Sequence, residues 1–155
     1  MTYALVLAIH SLLRWVVLGV GIFALVRAAG GHRARRPWTA ADDRAGLWFV
    51  VAMDVQFLLG LLLYAALSPM TRVAFADFGA AMANSTLRFW AVEHLFGMVV
   101  AVALVHVGRV RARKTADTVR RHRVALLFFG LALAAVLLTI PWPGMPAGRP
   151  LFRGF

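Results

Sequence analysis

Six ionisable side chains lie inside long apolar stretches of this chain: His10, Arg14, Asp54, Glu93, His94 and His106. Such a group is costly in a membrane-spanning segment and marks a functional position by default. His10 lies about eight residues into the first stretch, ~12 Å along a helix, and His94 about six into the third, ~9 Å. Both helices descend from the same side, so the two imidazoles reach similar depths. Two axial imidazoles on a haem iron need that arrangement: histidines from different helices, level with each other, facing one gap. Histidines at matched depth also serve as hydrogen-bonding glue between helices, and spacing by itself leaves both readings open.

The neighbours extend the haem option. Gly97 and Ala101 follow His94 at i+3 and i+7 on roughly the same face, and small residues admit a flat macrocycle or a neighbouring helix. Arg14 shares a face with His10, and Arg14 or Arg88 suits a propionate or Glu93 as partner. His106 lies ~18 Å below His94 and is rotated by about 120°, so these two cannot share one haem. Asp54 should reach the depth of His106, giving an expected inner-half pair Asp54–His106. Its possible roles are a structural hydrogen bond, a proton relay or part of a quinone site. His32 and His122 fall in basic loops and are read as solvated. Met98 is read as core, and Gly19 and Gly21 as helix-packing positions.

The elements that position these residues follow from hydropathy. Of 155 residues, 62% are hydrophobic, and mean hydropathy is +0.79. Soluble domains average roughly 45–50% apolar residues. The excess forms four runs, about 2–28, 46–67, 88–107 and 124–140. Each suits a ~30 Å hydrocarbon layer. Backbone groups there must be satisfied internally, so the runs are helices, and they lack the alternation of barrel strands. The expected fold is all-α: an integral-membrane four-helix bundle forming a single transmembrane domain over 1–155. The first run has no basic segment before it and no small-residue cleavage site after it, so it is read as a retained span rather than a signal peptide. Segment 30–36 ends the first helix, Pro37 and the Thr-Ala-Ala-Asp-Asp of 39–43 start the second, and Ser68-Pro69 ends it. In segment 70–87, Phe75, Phe78 and Met82 suit a short interfacial helix.

The formal charge of +11 suggests nucleic acid until the charges are placed. Twelve Lys and Arg flank the two loops on one side: Arg27, Arg33, Arg35, Arg36, Arg44, Arg109, Arg111, Arg113, Lys114, Arg120, Arg121 and Arg123. The other side carries four: Arg72, Arg88, Arg149 and Arg153. This is topology-setting charge, with no nucleic-acid partner implied. The positive-inside rule puts the N-terminus and C-terminus outside, as expected in a bacterial inner membrane. Trp38 and Trp48 suit the inner interface, and Trp90 and Trp142 the outer one. With no cysteine, disulfides, thiolate metal sites, iron–sulfur clusters and covalent haem attachment are excluded. Any cofactor is held by His, Met, carboxylate or packing.

Several segments together carry a resemblance: His-Ser-Leu-Leu-Arg-Trp at 10–15, Gln-Phe-Leu-Leu-Gly-Leu-Leu-Leu-Tyr at 56–64, Leu-Arg-Phe-Trp-Ala-Val-Glu-His at 87–94, His-Val-Gly-Arg at 106–109, Ile-Pro-Trp-Pro at 140–143 and Gly-Arg-Pro at 148–150. Over nearly its whole length the chain resembles short bacterial four-helix membrane proteins labelled cytochrome b-like. The resemblance implies haem b and electron transfer, with His10 and His94 as the matching outer histidines and His106 a third. It departs from the two-haem cytochrome b561 pattern, because His106 has no intramembrane histidine partner and Asp54 stands where another histidine would be expected. One haem is the expectation that remains.

Two functional readings follow. One is a b-type cytochrome with a single haem between the first and third helices. His10 and His94 would bind the haem iron, Arg14, Arg88 and Gly97 would support the cofactor, and electrons would pass to or from quinone or within a larger complex. The other is a cofactor-free accessory or assembly subunit whose polar residues glue helices and whose tail, 145–155, docks partner subunits. No nucleophile–base pair, phosphate loop or metalloprotease motif is present, so a stand-alone enzyme is not the expectation.

Overall fold

The computed structural model describes residues 1–152; Arg153, counted above, lies outside the described residues. Among the described residues seven α-helices follow one another: α1 (Thr2–Arg33), α2 (Ala40–Leu62), α3 (Pro69–Ala76), α4 (Phe78–Ala83), α5 (Ser85–Arg88), α6 (His94–Lys114) and α7 (Thr118–Thr139). A π-helical turn at Leu63–Leu67 prolongs α2, and another at Phe89–Glu93 joins α5 to α6. Four continuous helices are long and apolar enough to cross a bilayer: Thr2–Arg33, Ala40–Leu67, Ser85–Lys114 and Thr118–Thr139. The protein is therefore a multi-pass membrane protein whose outer face meets lipid.

All four helices outrun their apolar stretches on the basic side. The first continues to Arg33 rather than ending near 28, and the second begins at Ala40 rather than 46. The third reaches Lys114 and the fourth starts at Thr118. Charge ends the hydrocarbon layer but not the helix, because Arg and Lys are good helix formers. Local chemistry sets the true ends. Asp42 accepts from the backbone N–H (2.9 Å) and hydroxyl (2.7 Å) of Thr39 at the start of α2, closing a capping box. Asp117 caps α7 by accepting from the N–H groups of Val119 and Arg120. Segment 70–87 runs through three short helices rather than one, each capped by its own side chain, Ser68 for α3, Asp77 for α4 and Asn84 for α5.

The long helices form a ring: α1 packs on α2 and α7, and α6 on α7 and α2. This leaves α1 and α6 diagonal across the bundle. The core centres on Phe49 and Phe129, edge to face at 5.6 Å, with Val17, Met53, Val105 and Leu133 around them. Gly21 is packed hard against Phe49 and Leu133, whereas Gly19 has open space beside it. The start of α1, the tail up to Phe152 and α3–α5 lie at one end of the ring, the terminal end. The two basic connections lie at the other.

His122 differs from the expectation of a solvated loop residue. It is fully buried, with 0% exposure. Its ring lies 4.9 Å from Trp38 and fills the space that a Gly31 side chain would take, since a Cβ there would fall 2.2 Å from the imidazole. The helix extensions cause this: they carry Gly31 and His122 past the apolar runs and into contact. Beside them Asp42 binds Arg27 and Arg36. Hydrogen bonding to Asp42 raises the pKa of the Arg36 guanidinium above its ordinary value.

Gly97 allows a close approach of α6 to α7. A Cβ there would lie 2.0 Å from Thr139 Cγ2 and 3.1 Å from Thr139 Cβ. Thr139 cannot turn aside cheaply, because its hydroxyl donates to the Ala135 carbonyl at 2.7 Å. Gly97→Val is expected to cost about 1–3 kcal/mol, the usual range for overpacking. Thermal unfolding in detergent should show a lowered Tm, and an unchanged Tm would mean that α6 and α7 do not meet at this glycine.

Candidate cofactor site

The bundle encloses a cavity of about 130 Å³. Its walls come from all four long helices, with Leu7, His10 and Arg14 from α1, Gln56 and Gly60 from α2, His94 and Met98 from α6, and Val136 from α7, followed by Ile140 just past its end. Trp90 and Arg149 line it too. The two histidines predicted to share a gap therefore face one cavity from diagonal helices. The ring of contacts turns α1 and α6 toward a common centre, and the π-turn at Phe89–Glu93 immediately precedes His94. Such turns are frequent at functional positions.

The two imidazoles are held differently. His94 donates Nδ1–H to the Thr139 carbonyl at 2.8 Å. That carbonyl lies in the last turn of α7, where it has no helical donor of its own. With Nδ1 protonated, Nε2 carries the lone pair, the state of a histidine prepared as a metal ligand. His10 meets Gln56, whose amide nitrogen lies 3.3 Å from His10 Nε2 and donates to the His10 carbonyl at 3.0 Å. His10 Nδ1 is buried and has no partner. Gly60 makes room for the ring, since a Cβ there would approach His10 Cε1 to 3.1 Å.

Among the described residues, six buried side-chain polar atoms lack a hydrogen-bond partner. Four belong to the cavity wall: His10 Nδ1, Arg14 Nε, Gln56 Oε1 and Trp90 Nε1. The other two are the His122 ring nitrogens. Native interiors satisfy the great majority of such atoms, so their clustering distinguishes this cavity from ordinary core.

The other predicted residues are distributed around it. Arg14 lines the cavity, is 8% exposed and donates to the Leu151 carbonyl at 2.7 Å. Arg88 lies apart from it, bound to Glu93 at 2.7 Å on the surface. Gly97 faces Thr139 rather than the cavity, so it serves His94 by bringing α7 close. Asp54 and His106 do meet, at 2.8 Å, with side chains 41% and 46% exposed on the outside of the bundle. No group of three His, Cys, Asp or Glu side chains converges among the described residues; haem iron takes only two axial ligands from a protein.

Sequence reasoning passed over Thr139, Trp90 and Arg149 as site residues. Gln56 carried a signal, as an amide in an apolar run one helical turn before Gly60. Thr139 acts through its backbone, which no side-chain pattern reveals. The chain matches no family model, and neither curated proteins nor solved structures give a match. The functional reading therefore rests on the residues themselves.

Proposed function

We propose that this protein is a small b-type cytochrome of a bacterial inner membrane, with its termini outside and one haem between His10 and His94. The observation that carries the reading is the pairing of two histidines from diagonal helices on one apolar cavity rich in unpartnered polar atoms. The donor set suits haem b: two neutral imidazoles, no thiolate, and guanidinium groups nearby for the propionates. His94 is already oriented by Thr139. His10 would bind through a nitrogen that Gln56 releases. Bound haem would supply one-electron chemistry, exchanged with quinone or within a larger complex. The cavity is smaller than the ~300–1,000 Å³ usual for small-molecule pockets, so the helices must part to admit a macrocycle.

The test is a reduced-minus-oxidised visible spectrum of the full chain, purified in detergent from haem-replete cells, with a haem assay. The expected result is a b-type spectrum and close to one haem per chain. A colourless protein would overturn the reading.

One observation favours a second reading, a membrane subunit that docks a partner. Asp54 and His106 are half exposed amid Val51, Val55, Val99 and Val107, all exposed to the lipid side. Polar pairs at such depth face protein or water rather than lipid. Asp54→Leu combined with His106→Leu is expected to leave the Tm of the isolated protein unchanged or higher, since replacing both partners of a hydrogen bond by apolar groups is often neutral or stabilising. The same variant should run at a lower native mass when extracted mildly from its own membrane. An unchanged native mass would exclude this seam as the docking face.

A further inference from the structure

Among the described residues the cavity wall contains two guanidinium groups, Arg14 and Arg149, and no carboxylate. Arg14 is more than nine-tenths buried. Among the described residues its one hydrogen-bond acceptor is the Leu151 carbonyl, and its Nε–H has no partner. Arg149 lies over the Trp90 ring at 5.1 Å, and the Trp90 indole N–H is also buried without a partner. Among the described residues neither arginine makes an ion pair. The nearest carboxylate in sequence to Trp90, Glu93, is held by Arg88. A buried charge away from water requires a counter-charge, and the described residues provide none here.

The tail builds this end of the cavity. The Arg149 N–H donates to the Pro141 carbonyl at 3.0 Å, and Trp15 stacks on Phe152 at 5.5 Å and donates to the Leu151 carbonyl. These contacts carry Arg149 back over the terminal end of the bundle, beside Trp90.

We propose that Arg14, Arg149 and Trp90 form an anion-recognition site at the terminal end of the cavity. It takes the carboxylate of a ligand whose apolar body fills the space between α1 and α6. The proposal rests on the reading of the cavity as a cofactor site and adds the ligand's charge and direction, carboxylate toward the terminal end. A haem propionate and a fatty-acid carboxylate share this chemistry.

The experiment titrates the full chain, in a neutral detergent, with iron-free protoporphyrin IX, its dimethyl ester and palmitate, following porphyrin and tryptophan fluorescence. The diacid is expected to bind about tenfold tighter than the ester. Arg149→Gln should remove most of that preference, Arg149→Lys should keep much of it, and Arg14→Gln should add to the loss. Arg149 is partly exposed on the tail, so its variants test the site even if Arg14→Gln fails to fold. Arginine-dependent binding of palmitate without porphyrin would uphold the anion site, assign it to a lipid carboxylate and remove the cytochrome reading. Equal affinity for diacid and ester, a preference that survives Arg149→Gln, or no binding of either probe would overturn the proposal. A haem spectrum in the wild type beside equal diacid and ester binding would leave the cytochrome reading standing without this site.

Discussion

His10→Ala and His94→Ala are each expected to reduce bound haem by more than tenfold and to abolish the b-type difference spectrum. On the proposed reading each replacement removes one of two axial ligands, and nothing else on the cavity wall substitutes well. Met98 is the only other soft ligand near His94 on its own helix, one turn away. The two variants should differ in stability. His94→Ala leaves the Thr139 carbonyl without its donor, a loss of about 0.5–1.5 kcal/mol for a typical hydrogen bond. His10→Ala removes a ring whose Nδ1 already lacks a partner, so the apoprotein should lose less. Far-ultraviolet circular dichroism would establish that both variants fold, and the haem assay would then read the ligands. A variant that folds and keeps a full spectrum would show that its histidine is not an axial ligand.

Asp42→Ala is expected to be the most destabilising single change at the basic end. Asp42 is 2% exposed. It accepts from Arg36 at 2.6 and 2.8 Å, from Arg27 at 2.9 Å and from both donors of Thr39. One carboxylate thus closes the α1–α2 connection and caps α2. Removing it leaves two guanidiniums crowded beside the buried His122 ring. Breaking a buried ion pair by deleting one partner costs about 3–5 kcal/mol, and part of that range applies here because both arginines are partly exposed. The comparison is Asp43→Ala. Asp43 binds Arg109 at 3.1 Å and lies 3.8 Å from Arg113, but it is a third exposed, and exposed pairs contribute about 1 kcal/mol or less. Thermal unfolding of both variants in one detergent should rank Asp42→Ala well below Asp43→Ala. Equal melting would mean that the Asp42 cluster is not what fastens α1 to α2.

How far the site was legible depends on the range of each interaction. The level positions of His10 and His94 came from counting residues along two helices, because rise per residue is a local constant. The Asp54–His106 contact came the same way, from two depths that agree. Depth says nothing of rotation about the bundle axis. Helix count and matched depths therefore could not say that this pair lies on the outside while the His10–His94 pair lies within. Arg88 shows the same limit: its partner Glu93 was among the expected ones, but its place on the surface, away from the cavity, depends on how the π-turn at Phe89–Glu93 turns the chain.

By itself the sequence determined four membrane-crossing helices, because run length and apolarity set the free energy of each segment in lipid independently of its neighbours. It also determined a helix start over 39–43 and, with no cysteine, the absence of thiolate chemistry. Tertiary structure alone decided that His122 is buried against Gly31, that Gly97 serves helix contact, and that Arg14 reaches Leu151 at the far end of the chain. These facts depend on which faces of the helices meet. In a bundle whose helices are apolar on every side, hydropathy does not select those faces; the fit of small against large side chains does.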